Sequence, residues 1–205
     1  VTLTRCQAIG NGRHGFNVVT SSSDVELRDC TATGNGYAAG DSVGSGLVVQ
    51  TGDNELRALT EGVRIFGGDF SDNEGTGITI RQSAGVTIGG GGAGEGVTIT
   101  GNDQGGVLLE GVVSLGGGPA ARILGSTIAG NGDVASANDS EIRIKGYRTF
   151  ASDADPLNDR FVAPGTVEIS GNTIGQTPAT AQRAVQLSDV ADSELIAAIL
   201  AGNTV

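Results

Sequence analysis

A five-residue template, a small residue followed by apolar, free, apolar and free positions, recurs along this chain and limits its fold more than any other feature. It reads Gly15-Phe16-Asn17-Val18-Val19, Gly46-Leu47-Val48-Val49-Gln50, Gly77-Ile78-Thr79-Ile80-Arg81, Gly106-Val107-Leu108-Leu109-Glu110, Glu141-Ile142-Arg143-Ile144-Lys145 and Ala184-Val185-Gln186-Leu187-Ser188. Alternation at period two marks a strand with one buried face. A second series, Val1-Leu3, Val25-Leu27, Val63-Ile65, Val97-Ile99 and Val167-Ile169, runs about half a repeat ahead. Each repeat therefore carries two or three short strands. Asn11, Asn35, Asn73, Asn102 and Asn131 stand between the series, where a turn calls for residues that tolerate left-handed backbone angles.

Successive templates start 31, 31, 29, 35 and 43 residues apart. Constant rungs with loops of changing length inserted at the corners describe a solenoid. With no helical period between the strands and Gly at 36 of 205 positions, the prediction is all-β: a right-handed, single-stranded parallel β-helix, with residues 1–205 forming one domain. A β-propeller is the competing architecture, but it needs four antiparallel strands in each repeat of ~40 residues.

Only 3% of residues are aromatic against 38% hydrophobic, so the core is expected to be a stack of Val, Ile and Leu. A net charge of −11 argues against nucleic acid as a partner. No apolar run approaches the ~20 residues that cross a bilayer, and no leader pattern is present. The chain lacks methionine and opens on a strand. Because solenoid ends need polar caps, it is expected to be an excerpt, truncated at the N-terminus, of a longer coil stack. Ser193 to Leu200 fits either a short helix or a last rung.

Cys6 and Cys30 occupy one corner position on consecutive rungs, later filled by Ser126, Asn172 and Asn203. They read as stacked small residues or as a disulfide, which a secreted protein permits. The outward columns of the template strands are more pointed. They run Asn17, Val48, Thr79, Leu108, Arg143, Gln186 and then Val19, Gln50, Arg81, Glu110, Lys145, Ser188. Of only 12 basic residues, Arg81, Arg143 and Lys145 share this sheet, with Arg13 at its edge. A basic strip on an acidic body suits an extended polyanion, and ordinary surface alternation is the plain alternative.

His14, the sole histidine, follows Arg13 at the entrance to that face. A guanidinium and an imidazole meeting one sugar suit a uronic acid: its C5 proton is removable only once the carboxylate is neutralised, and a residue titrating near neutrality can transfer it.

The stretch from Asn11 to Thr20, continued through Asp24, Asn35-Gly36 and Ser45-Gly46-Leu47-Val48-Val49-Gln50, resembles the catalytic module of secreted bacterial mannuronan C-5 epimerases, which act on alginate. The likeness is close over about residues 1 to 60 and continues as rung pattern beyond. It implies a right-handed parallel β-helix and a secreted protein. Arg13 and His14 match an Arg-His pair lining that family's cleft, Arg81 falls where the family has a basic residue on the cleft floor, and Gln50 lies on the same face. Asn17, Arg143 and Lys145 join them as candidate substrate-binding residues.

The resemblance also has a gap. The family's principal acid/base set, a Tyr shortly before an Asp-Pro-His-Glu run, is absent here, and the tyrosines, Tyr37 and Tyr147, match no such motif. The isolated chain is therefore expected to be an inactive part of a site, and a monomer. A polyuronate lyase and a noncatalytic carbohydrate-binding or adhesive β-helix are the alternatives. No cofactor or metal site is expected in this chain, and any calcium requirement belongs to the parent protein. Gly89 to Gly96 lacks the Asp of calcium-binding nonapeptides, and the acidic run Asp153, Asp155 and Asp159 lacks the Gly and Glu of an EF-hand. The segment from Tyr37 to Ser45 lengthens a corner near the cleft, as a subsite wall or a tolerated loop. Asn138-Asp139-Ser140 is formally a glycosylation sequon.

Overall fold

The computed structural model describes residues 1–37, 43–51, 59–114, 116–132, 140–146, 166–175, 183–188 and 197–205. Every regular element among them is a strand, and every strand pair is parallel. The chain coils as a parallel β-helix, with the right-handed connection that parallel strands favour. Each turn contributes to three faces. The first face is a seven-stranded sheet whose inward residues stack as Leu3, Leu27, Ile65, Ile88, Ile123, Ile169 and Leu200. The second carries strands of three residues, with Ala8 on Ala32 and, further along, Ile99, Ile128 and Ile174 in register. The third is the six-stranded sheet of the template, pairing Phe16, Leu47, Ile78, Val107, Ile142 and Val185 in the register the repeat predicts.

Those stacks form one continuous core of Val, Ile and Leu, all but closed to solvent through the middle coils. Phe70 is its large exception, fully buried and set edge-on to Phe16 with ring centres 6.5 Å apart.

In two respects the structure corrects the strand reading. Val97-Ile99 lies on the second face, in the strand Thr98–Thr100, whereas Val1-Leu3, Val25-Leu27, Val63-Ile65 and Val167-Ile169 lie on the first. The first face also includes Val86–Gly89 and Ala121–Leu124. In Thr98–Thr100 only Ile99 faces inward, so period two does not tell which face that strand belongs to. Of the segment Ser193 to Leu200, the described part belongs to the last rung, since Ala197–Ala201 pairs with Thr166–Ser170, and residues 193–196 lie outside the described residues. Residues 38–42 of the lengthened corner, the acidic run at 152–159, Tyr147 and the sequon at 138–139 lie outside the described residues.

The asparagines at the corner between the second and third faces serve a purpose beyond turn propensity. The left-handed angle belongs to the residue before each: Gly10, Gly34, Asp72, Gly101 and Gly130 have φ between 55° and 68°. The asparagine side chains point inward and form a ladder. The Nδ2 group donates to the Oδ1 of the next rung from Asn11 to Asn35 (2.8 Å), Asn35 to Asn73 (2.8 Å), Asn73 to Asn102 (2.9 Å) and Asn102 to Asn131 (2.8 Å). That same Oδ1 also accepts the backbone N–H of the preceding asparagine, and the second Nδ2 hydrogen reaches a backbone carbonyl, as from Asn73 to Ala32. Buried amides are tolerated because every donor and acceptor is matched.

The template's leading glycine follows from this ladder. A Cβ on Gly77 would sit 2.5 Å from Ile99 Cγ2, 2.7 Å from Asn102 Nδ2 and 2.8 Å from the Phe70 carbonyl. Where the asparagine series ends, the glycine column changes to Glu141, whose fully buried carboxylate accepts from Asn131 Nδ2 at 2.6 Å. At the other corner Ser126, Asn172 and Asn203 form a shorter ladder. Cys6 and Cys30, at the same corner on the first two rungs, are free thiols.

Candidate functional site

The third sheet's outward face and the loop edge beside it enclose a groove of roughly 430 Å³, lined by Arg13, His14, Ser45, Gln50, Thr79, Arg81 and a few neighbours. Its floor follows from register: Gln50 pairs with Arg81 and Val48 with Thr79 on adjacent strands. Arg13 and His14 enter from the loop that precedes the first template strand, so residues distant in sequence converge because successive rungs stack.

His14 is half-buried, and its Nδ1 accepts the backbone N–H of Ser45 at 3.0 Å. That bond assigns the imidazole proton to Nε2. Burial first, and then the neighbouring Arg13 and Arg81 guanidinium groups, hold the His14 pKa below its ordinary 6.5. The ring is thus neutral at neutral pH, with one donor left to offer. Ser45 secures the wall as well, its hydroxyl lying 3.2 Å from Thr79 Oγ1, with both side chains buried.

Arg81 is half-exposed, and its Nε lies 3.0 Å from Glu110 Oε2 on the next rung. Lys145, one rung further, places Nζ 2.5 Å from Glu110 Oε1. The strip is therefore not uniformly basic, since Glu110 stands between two cations. Arg143 donates from Nε to Ser188 Oγ at 2.9 Å. Of the sequence candidates, Arg13, His14, Gln50 and Arg81 line the groove together, whereas Asn17, Arg143 and Lys145 lie on the same sheet outside that lining.

Sequence reasoning missed Ser45, Thr79, Val43, Gln104 and Leu108 as lining residues. Ser45 acts through a backbone N–H, which no side-chain pattern reveals. Leu108 had a signal: an apolar residue in an outward column. Among the described residues, no group of three or more His, Cys, Asp or Glu could hold a metal ion, and no helix is long and apolar enough to cross a membrane.

No protein-family model matches the chain. Over 78 residues it is 41% identical to the mannuronan C5-epimerase AlgE5 of Azotobacter vinelandii, a match spanning 38% of this chain and 7% of that protein. Over 73 residues it is 41% identical to AlgE2 of the same organism, spanning 36% of this chain and 6% of AlgE2. The A-module of the A. vinelandii mannuronan C-5 epimerase AlgE6 superposes on 98% of this chain with a TM-score of 0.76 and 28% identity. The chain is similar to mannuronan C-5 epimerase A-modules. It spans 45% of the AlgE6 A-module's length. The likeness covers nearly the whole solenoid, including the rungs that carry Arg13, His14 and Arg81.

Proposed function

We propose that the groove binds an anionic polymer of mannuronate outside the cell, as part of the site at which a C-5 epimerase converts mannuronate to guluronate within alginate. The observation that carries this reading is the convergence of Arg13, His14 and Arg81 on one groove of a coil stack that superposes on an epimerase A-module. Removing the C5 proton of a uronate places negative charge on the carboxylate as well as on carbon, so fixed donors around that carboxylate stabilise the intermediate more than the ground state. Arg13 and Arg81 supply permanent positive charge and forked hydrogen bonding.

His14 assists as a neutral donor through Nε2–H. Its Nδ1 is occupied by Ser45 N–H, so the ring is a poor base in this arrangement, and the group that abstracts H5 is assigned to another coil. This departs from the expectation that His14 shuttles the proton. The chain contains no Asp-Pro-His-Glu run, and it is expected to bind polymannuronate without turning it over.

Incubation of the chain with polymannuronate, followed by proton NMR for guluronate and ultraviolet absorbance for unsaturated chain ends, tests this assignment. Neither product is expected. Guluronate formation would show that the chain holds a complete epimerase site, and unsaturated ends would support the lyase reading.

A further inference from the structure

The outermost column of the third sheet changes sign from rung to rung, running Gln50, Arg81, Glu110 and Lys145 on consecutive strands. Glu110 contacts both cations, one through each carboxylate oxygen, and fixes them two rungs apart, or ~10 Å at the usual strand spacing. As a surface network this would add little to stability. Its place matters more: Arg81 lines the groove, and so does Leu108, the residue before Glu110. Arg81 meets Glu110 through Nε, which leaves its two terminal nitrogens as the fork a carboxylate takes. Lys145 has three donor hydrogens and gives one to Glu110.

A 1,4-linked polyuronate in a two-fold ribbon turns each sugar over relative to the last. One edge of the pyranose carries the C5 carboxylate and the opposite edge carries O2 and O3. A fixed line along the ribbon therefore meets carboxylate, diol, carboxylate, and each sugar advances by about the ~4.8 Å rung spacing. The column offers the matching order of cation, carboxylate and cation. We propose that Arg81, Glu110 and Lys145 form a two-rung ruler for a polyuronate lying along the coil axis. Arg81 takes one carboxylate, Glu110 accepts hydrogen bonds from the 2,3-diol of the next sugar, and Lys145 takes the carboxylate of the third. Leu108 faces the C–H surface of the middle ring. The ruler rests on the reading that the groove takes a polyuronate, and it adds a subsite at Lys145 and a selection for chain conformation.

The test is calorimetric titration of the full chain with mannuronate trisaccharide and with trisaccharides in which a single carboxylate is reduced to the alcohol. Reduction of the central residue should leave affinity within about twofold, while reduction of a terminal residue should lower it about tenfold, the loss of one charge-assisted contact. Lys145→Gln should weaken the intact trisaccharide about tenfold and make it indifferent to reduction at one of its two ends. Glu110→Ala, which removes the acceptor for the diol, should weaken the intact and the centrally reduced trisaccharide by the same factor. Thermal midpoints close to that of the parent chain confirm that the variants fold. Equal losses from central and terminal reduction, or an unchanged affinity in Lys145→Gln, overturn the ruler and leave the groove assignment standing. Failure of the parent chain to bind intact trisaccharide overturns both.

Discussion

The asparagine corner and the outward face of the third sheet lie on the same coils and follow opposite rules. At the corner one residue type repeats from rung to rung, buried, with each amide satisfied by the next. On the outward face the residue changes at every rung, from Gln50 to Arg81 to Glu110 to Lys145. Repetition in a stacked fold serves cohesion, because identical neighbours at a fixed spacing can bond to one another. A column whose residues differ from rung to rung is joined here only by partly exposed ion pairs, Arg81 and Lys145 to Glu110, which add little to stability, and it is free to face a ligand. The difference separates scaffold from site.

The sharpest way to break this contrast is at the corner. Asn73→Ala removes an acceptor used by Asn35 and donors used by Asn102, Ala32 and Ser71, leaving buried groups unpaired. A loss of about 3 kcal/mol or more is expected in denaturant unfolding. Gly77→Ala should cost about 2 kcal/mol by the same measurement, because its Cβ has no room against Ile99, Asn102 or Phe70. On the groove side, Arg81→Gln should change stability by less than about 0.5 kcal/mol and weaken polymannuronate binding about tenfold. A large stability loss there would erase the distinction between the two regions.

The smallest effects come from titration. Burial raises the Glu141 pKa above its ordinary 4.5, so the stability this group contributes is present below that pH and fades as pH rises through the raised value. Glu141→Gln does not titrate, and its stability should stay within about 1 kcal/mol of the parent while losing that pH dependence. His14 acts in the opposite sense. Its pKa is lowered from 6.5, so its contribution is full above that pH and is lost on acidification. In His14→Gln, the fall in stability between pH 7 and pH 5 should be shallower.

Much of the fold was legible because the template strands are four to six residues long, enough to display two inward residues each. The register from Phe16 to Val185 follows from aligning them. The second face was not legible, since strands such as Gln7–Ile9 and Thr31–Thr33 show a single inward alanine. The asparagines were visible, but their purpose was not: turn propensity explains the left-handed residue before each, and only burial reveals the ladder. At the site, stacking the template brought Gln50 beside Arg81, while Arg13 and His14 were marked as a pair. The contribution of Ser45 was hidden in a backbone N–H; Glu110 stood between Arg81 and Lys145 in the outward column, but its pairing with both cations became clear only from the structure.

The central claim is that Arg13, His14 and Arg81 act together on one anionic sugar chain. Titration of oligomannuronate into the chain and into Arg13→Gln, His14→Gln and Arg81→Gln, with neutral mannan as the control, tests it most directly. Binding of oligomannuronate over mannan, with each substitution weakening it and either arginine change costing about tenfold, is the predicted result. Equal affinity for mannan, or three variants that bind as the parent chain does, would contradict it.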